Sequence, residues 1–172
     1  LAESIGDAAV RNRGTIGGSL ANNDPAACYP AAALGVGATI VTNSREISAD
    51  DFFQGMFDTA LEEGEIIVSV KFPVPSSSSY QKFVQPASRF ALVGVFLSNF
   101  GNETRVAVTG ASEGGVFRWS EAEAALNKNF SDDSIKDLSI DHKDMINDIH
   151  ASKEYRAHLV KIMTKRAVAS AS

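Results

Sequence analysis

The chain has little of several residue types that would point to particular classes of protein. Its 172 residues include a single cysteine, so no disulfide can form within it. Its formal net charge of −5 argues against a nucleic-acid-binding protein, because such proteins present a basic surface. No apolar run approaches the roughly 20 residues of a transmembrane helix. We therefore expect a protein of a reducing compartment, the cytoplasm by default, with no nucleic-acid partner and no transmembrane segment.

Metal-ligand patterns are also missing. The three histidines, His142, His150 and His158, are eight residues apart, which is not a ligand spacing on one helix, and no cysteine accompanies them. We expect them to face solvent and predict no metal site.

What the chain does have is a glycine-rich segment near its start, RNRGTIGGSLANNDP over residues 11–25. The adjacent Gly17 and Gly18 allow backbone N–H groups to approach a ligand closely and to adopt positive φ. Concave groups of N–H donors bind anions. Asp24 is placed to cap a following helix, whose N-terminus would add partial positive charge. The segment indicates a phosphate or pyrophosphate site, and a Gly-Gly hairpin turn is an equally good interpretation.

The arrangement of apolar segments and breaks predicts an α+β fold in two parts. A helix of small residues follows the glycine-rich segment, and the strongest strand of the first half covers residues 66–72. Two prolines and a serine run then mark a boundary, which divides the chain into residues 1–75 and 76–172. In the second part, three strand-like segments predict a small antiparallel sheet, and helical patterns within 120–126, 131–149 and 152–166 predict a helix bundle after it.

Five segments, in this order, resemble those of a known family: VRNRGTIGGSLANNDP, EEGEIIVSVKFPVP, YQKF, SEAEAAL and HASKEYRAHL. The family is that of the FAD-binding medium subunits of molybdenum hydroxylases, which includes carbon monoxide dehydrogenase medium subunits and the FAD domain of xanthine dehydrogenases. The resemblance implies that residues 1–75 are the second subdomain of the FAD-binding domain and that residues 76–172 are its C-terminal α+β domain. A first subdomain with another glycine-rich segment precedes this point in the family. We therefore expect a C-terminal fragment that does not retain stoichiometric FAD by itself.

The same resemblance implies a set of cofactor-binding residues. In the glycine-rich segment these are Thr15, Ile16, Gly17, Gly18, Asn22 and Asp24. Ile67 matches an aliphatic position near the nucleotide, and Lys82 matches a lysine near the flavin ring; sheet core and an exposed edge-strand lysine are their alternative interpretations. Cys28 occupies a position where the family commonly has an FAD-contacting aspartate, so that contact is expected to be lost or moved.

The function implied is electron transfer in a hetero-oligomer. In this family electrons pass from a molybdopterin large subunit through an iron–sulfur small subunit to FAD and then to an external acceptor. The substrate is selected by the large subunit, and no catalytic residue is expected in this chain. The alternative is an interaction module that keeps the fold and the partner surface but binds no flavin.

Overall fold

The computed structural model of the chain describes residues 1–171 and confirms an α+β fold. The strands form a three-stranded antiparallel sheet, a two-stranded hairpin and a four-stranded antiparallel sheet. Within residues 1–171, no helix has the length and the apolar character needed to cross a membrane.

The first half of the chain builds the three-stranded sheet and the helices beside it. Its helices, after a 3-10 turn at Ala2–Ser4, are α1 (Ala8–Arg13), α2 (Ile16–Asn22), α3 (Cys28–Val36) and α4 (Ala49–Phe52). Its strands are β1 (Thr39–Thr42), β2 (Glu46–Ser48), β3 (Phe53–Gly55), β4 (Asp58–Thr59) and β5 (Ile67–Lys71). β1 lies between β2 and β5 and runs antiparallel to both. Gly37 ends α3 with a φ of 64°, which glycine adopts without steric cost, so β1 follows almost at once.

The second half builds a larger sheet with two helices. Its strands, which pair in chain order, are β6 (Ser77–Val84), β7 (Ala91–Asn99), β8 (Thr104–Ser112) and β9 (Gly115–Arg118). The helices α5 (Ser120–Lys128) and α6 (Lys153–Ala171) follow, with a 3-10 turn at Asp132–Ile135 between them. The residues Gly101-Asn102 predict a hairpin turn between β7 and β8. The turn is present, and the Phe100 amide donates to the Glu103 carbonyl across it at 2.8 Å.

Both faces of the four-stranded sheet are covered. Helices α5 and α6 pack on one face, over alternate residues such as Val95, Leu97 and Val106. Helix α3, from the first half, packs on the opposite face against Phe96 and Ala107. Because α3 lies on the second-half sheet, the two halves are in close contact. No strand pairing within residues 1–171 crosses the Pro73–Ser76 connection, and the domain division at residue 75 stays a prediction.

Two local predictions are wrong. Ser48, followed three residues later by Asp51, predicts a capped helix that runs through Phe57. The helix ends at Phe52 instead, because the chain turns directly into β3. The helix predicted within residues 131–149 is only a single 3-10 turn at its start. In that segment Asp and Ser side chains accept hydrogen bonds from nearby backbone amides: Ser131 from Asp133, Asp141 from Lys143, Asp148 from His150. Such local bonds compete with helix formation.

Candidate functional site

A cleft of about 880 Å³ lies beside the glycine-rich segment. One wall is the N-terminal segment, residues 2–14; the other is formed by α2, the start of α3 and strand β6. Its volume is in the range of small-molecule and cofactor sites, which is about 300–1,000 Å³. The residues that line the cleft include Ile5, Val10, Arg11, Arg13, Thr15, Gly18, Ser19, Asn22, Asp24, Cys28, Lys82 and Phe90.

The glycine-rich segment forms the start of a helix rather than a loop of positive-φ glycines. Thr15 is the N-cap of α2, and its Oγ1 accepts a hydrogen bond from the Gly18 amide at 3.0 Å. Neither Gly17 nor Gly18 has a positive φ, so the expected left-handed conformation is absent. Gly18 faces the cleft, whereas a Cβ on Gly17 would meet the Ile67 side chain at 3.7 Å. The two glycines therefore have different surroundings: Gly18 leaves space for a ligand, and Gly17 faces β5, where an added Cβ would make ordinary contact.

Asp24 does not cap α3, which corrects the sequence-based prediction. Its Oδ1 accepts from the Ala26 amide at 2.8 Å and closes a tight turn. Helix α3 begins only at Cys28, with Ala27 as an N-cap that has no side-chain hydrogen bond. The turn places the Asp24 side chain on the cleft wall, near Asn22.

Asn23 is a structural residue and not part of the cleft. It is buried, has a φ of 44°, and its Nδ2 donates to the Gly55 carbonyl at 2.7 Å and to the Asp58 carbonyl at 2.9 Å. Its own carbonyl accepts from the Phe57 amide at 3.1 Å. Asn23 thus joins the end of α2 to the β3–β4 hairpin.

Lys82 crosses the cleft wall and is partly buried. Its Nζ donates to the Ser4 carbonyl at 2.8 Å and lies 3.6 Å from the Cys28 Sγ. This geometry differs from that of an exposed edge-strand lysine, the alternative interpretation of Lys82. The lysine connects the N-terminal wall to the start of α3.

The cleft brings together five of the eight predicted cofactor residues: Thr15, Gly18, Asn22, Asp24 and Lys82. The other three, Ile16, Gly17 and Ile67, lie behind the cleft wall, where the two isoleucines pack against the core of the first half. Their contacts with a cofactor stay predictions.

Several cleft residues were not identified from the sequence. Arg11 and Arg13 contribute two cations, and the Arg11 guanidinium bonds the Ile5 carbonyl. Phe90 contributes an aromatic ring from the loop before β7. Both arginines belong to the same segment, residues 11–25, as Gly17 and Gly18, and this nearby positive charge is a sequence signal for an anion site. Phe90 is brought in only by the tertiary fold.

The lining suits a dinucleotide in its chemistry. Hydroxyl and amide groups of Thr15, Ser19 and Asn22 and the nearby cations can bind a pyrophosphate and hydroxyl groups, and Gly18 leaves the backbone open where a Cβ would fill the space. Apolar side chains, among them Val10 and Phe90, provide a surface for an aromatic ring system.

Comparisons with known proteins are consistent with this chemistry. Residues 1–75 match the family described as "FAD binding domain in molybdopterin dehydrogenase". The chain is 35% identical to the glyceraldehyde dehydrogenase medium chain of Sulfolobus acidocaldarius, over 95% of this chain and 63% of that protein. It is 30% identical to the carbon monoxide dehydrogenase medium chain of Hydrogenophaga pseudoflava, over 99% and 64% respectively. Carbon monoxide dehydrogenase from Oligotropha carboxidovorans superposes with a TM-score of 0.84 at 25% identity, covering 98% of this chain and 64% of that one.

The chain is a homologue of the medium subunits of molybdenum hydroxylases. The family resemblance of its five segments is thereby confirmed, and FAD is the cofactor of this family. Its relatives in the family are subunits of oxidoreductases. The chain spans less than two thirds of the length of these medium subunits, so it corresponds to a part of each.

Proposed function

We propose that the cleft is the part of an FAD site that this chain contributes to the medium subunit of a molybdenum hydroxylase. The observation that carries the proposal is the convergence of Thr15, Gly18, Asn22, Asp24 and Lys82 on one cleft, although Lys82 is far from the others in the sequence. When bound, FAD would supply the redox chemistry, because the flavin accepts and donates electrons.

In this proposal the chain's own residues bind and orient. Gly18 leaves space for the phosphates, and Arg11 and Arg13 offset their negative charge. Lys82 adds a cation on the opposite wall, where its bond to the Ser4 carbonyl fixes its position. Cys28 does not supply the carboxylate expected there, so Asn22 and Asp24 are the polar groups that remain on that side.

For the whole protein we propose an electron relay. Electrons would pass from a molybdopterin large subunit and an iron–sulfur small subunit to FAD and on to an external acceptor, in the cytoplasm. Two relatives are medium chains of glyceraldehyde and carbon monoxide dehydrogenases, and a medium chain implies an enzyme with further subunits, which supports this proposal. The relatives act on different substrates, in line with a substrate selected outside this chain.

The test is a titration of the purified chain with FAD, followed by flavin fluorescence anisotropy. We expect the chain as purified to contain less than one FAD, to bind added FAD saturably, and to lose that binding in Gly18→Val. The branched side chain would occupy cleft space that the phosphates need. A Cβ on Gly18 would also lie 3.1 Å from the Thr15 Oγ1.

The matched control is Gly17→Ala on the same helix, whose Cβ would meet Ile67 at ordinary contact distance and not the cleft. It should bind FAD as the wild type does. Equal binding by Gly18→Val and wild type would refute the phosphate site. Absence of saturable binding by the wild-type chain would instead favour the interaction module without flavin.

A further inference from the structure

The thiol of Cys28 lies in a cluster of three reactive or polar side chains. Cys28 is the first residue of α3 and faces strand β6, where Tyr80 and Lys82 point to the same side because they are two residues apart. The Lys82 Nζ is 3.6 Å from the Cys28 Sγ. The Tyr80 hydroxyl is buried, with no hydrogen-bond partner among residues 1–171. Burial, and after it the adjacent Cys28 thiol, raise the pKa of Tyr80 far above its usual range.

The cluster can be reached by a small oxidant. Cys28 is only 5% exposed, yet both Cys28 and Lys82 line the cleft. Hydrogen peroxide, which is little larger than water, can therefore reach the sulfur through the cleft. A thiol beside a lysine is also the type of environment in which cysteines react with oxidants.

We propose that Cys28 and Lys82 form a peroxide-dependent covalent cross-link, a sulfenamide, on the wall of the cleft. In the first step the Cys28 sulfur attacks peroxide; an S–O bond forms, the O–O bond breaks, water leaves and the sulfur is oxidised to a sulfenic acid. In the second step the Lys82 amine, after losing a proton, attacks the sulfur; an S–N bond forms and a second water leaves. Overall, one thiol, one ammonium and one peroxide give the cross-link, two waters and one proton.

Tyr80 has a place in this sequence. A sulfenic acid adds to the sulfur an oxygen, which is a stronger acceptor than the thiol that lies beside the buried Tyr80 hydroxyl. It can donate to that oxygen and hold the intermediate beside Lys82 until the amine attacks. The product joins α3 to β6 and removes the cation of Lys82 from the cleft. The inference does not depend on the bound cofactor, since it concerns residues of this chain alone.

The test is peroxide treatment of the folded chain, followed by mass spectrometry. We expect an intact mass about 2 Da below that of the reduced monomer, because the cross-link removes two hydrogen atoms. Since Cys28 is the only cysteine, an internal disulfide cannot cause this loss. Trypsin should release residues 14–45 linked to residues 72–89, because the modified Lys82 is no longer cleaved. A thiol reductant should restore the separate peptides.

Three controls make the result specific. Lys82→Arg should lose the linked peptide and leave a sulfenic acid that a dimedone probe labels, whereas the exposed Lys71→Arg should retain the link. Cys28→Ser should give none, and the same treatment of the chain unfolded in urea should give none, because the link needs the folded geometry. Peptide mapping separates the link from oxidation of the three methionines. Any of three results would overturn the proposal: sulfinic acid as the only product at Cys28, an unmodified Cys28, or an undiminished link in Lys82→Arg.

Discussion

The two faces of the four-stranded sheet are packed in different ways. Toward α5 and α6, the sheet presents branched aliphatic side chains, with Trp119 among the groups that they bury. Toward α3, small residues meet: Gly35 lies so close to the sheet that an added Cβ would stand 2.6 Å from the Phe96 ring and 3.4 Å from the Ala107 Cβ. On the first face, large side chains fill the space between the helices and the sheet. On the second face, small residues let the helix approach the sheet closely.

The difference matters for the cleft, because α3 begins with Cys28 on the cleft wall. A helix of small residues packed tightly on the sheet holds that wall in one position relative to Lys82 on β6. A further interaction holds the same junction: the Thr109 hydroxyl lies 2.8 Å from both the Pro25 and the Ala27 carbonyl oxygens, which share its one hydrogen. Small residues on this face therefore position the site, and large ones on the other face stabilise the fold.

The largest effect is expected on the α5–α6 face. Leu97 is fully buried there, so Leu97→Ala should lower the free energy of unfolding by about 2–5 kcal/mol through lost burial and a cavity. Denaturant unfolding measures this value. Val74→Ala, at a side chain that is 90% exposed, is the control and should change stability by less than about 0.5 kcal/mol. Equal effects of the two substitutions would contradict the assignment of this face as the main core.

An intermediate effect is expected on the α3 face, where the substitution adds side-chain volume, whereas Leu97→Ala removes it. Gly35→Ala should destabilise by about 1–3 kcal/mol through overpacking against Phe96, although alanine favours helices over glycine by about 1 kcal/mol. Gly114→Ala is the control, because its Cβ would meet only the Ser112 hydroxyl at 3.4 Å. Thermal unfolding compares the two, and Phe96→Leu in the Gly35→Ala background should recover part of the loss. A stabilised Gly35→Ala protein would show that the approach of α3 to the sheet is looser than described.

The smallest effect concerns the ion pairs beside this junction. Asp50, at the start of α4, accepts from Arg105 at 2.7 Å and from Arg118 at 3.2 Å on the second-half sheet. Asp50→Asn should cost about 1–2 kcal/mol near neutral pH, less than a fully buried pair because the carboxylate is 42% exposed and screened by water. Chemical denaturation of both proteins at several pH values tests it.

The pH dependence has a defined sign. Partial burial opposes the charged form of Asp50, but the hydrogen bonds and charges of Arg105 and Arg118 outweigh it and lower the pKa below the ordinary 3.8. A lowered pKa gives stabilisation that is complete above the unfolded value and is lost as the pH falls through the folded value. The difference between wild type and Asp50→Asn should therefore shrink as the pH falls below 3.8 and the carboxylate becomes protonated. A difference that persists unchanged in acid would exclude these ion pairs as its cause.

The fold class and several elements could be predicted from the sequence because their signals are local. The strand pattern of β5, the turn at residues 101–102 and the stop of α3 at Gly37 depend on alternation, turn residues and a left-handed glycine. The glycine-rich segment, predicted from the sequence as a phosphate site, lines the cleft, and its role in binding stays a prediction; its helical conformation was missed. Thr15, which is the N-cap of α2, indicates a helix start, but the two adjacent glycines that follow disfavour a helix and hid this indication.

The sequence by itself determined the family, the α+β class and which short segment lies beside the candidate site, since these depend on residue order and local conformational preference. Only the tertiary structure decided that Lys82, Cys28 and Tyr80 meet, that Gly17 faces Ile67 while Gly18 faces the cleft, and that Asp24 closes a turn without capping α3. Those contacts depend on how α3 packs on a sheet formed much later in the chain. That packing is set by the close fit of small side chains at long sequence separation, which no local pattern encodes.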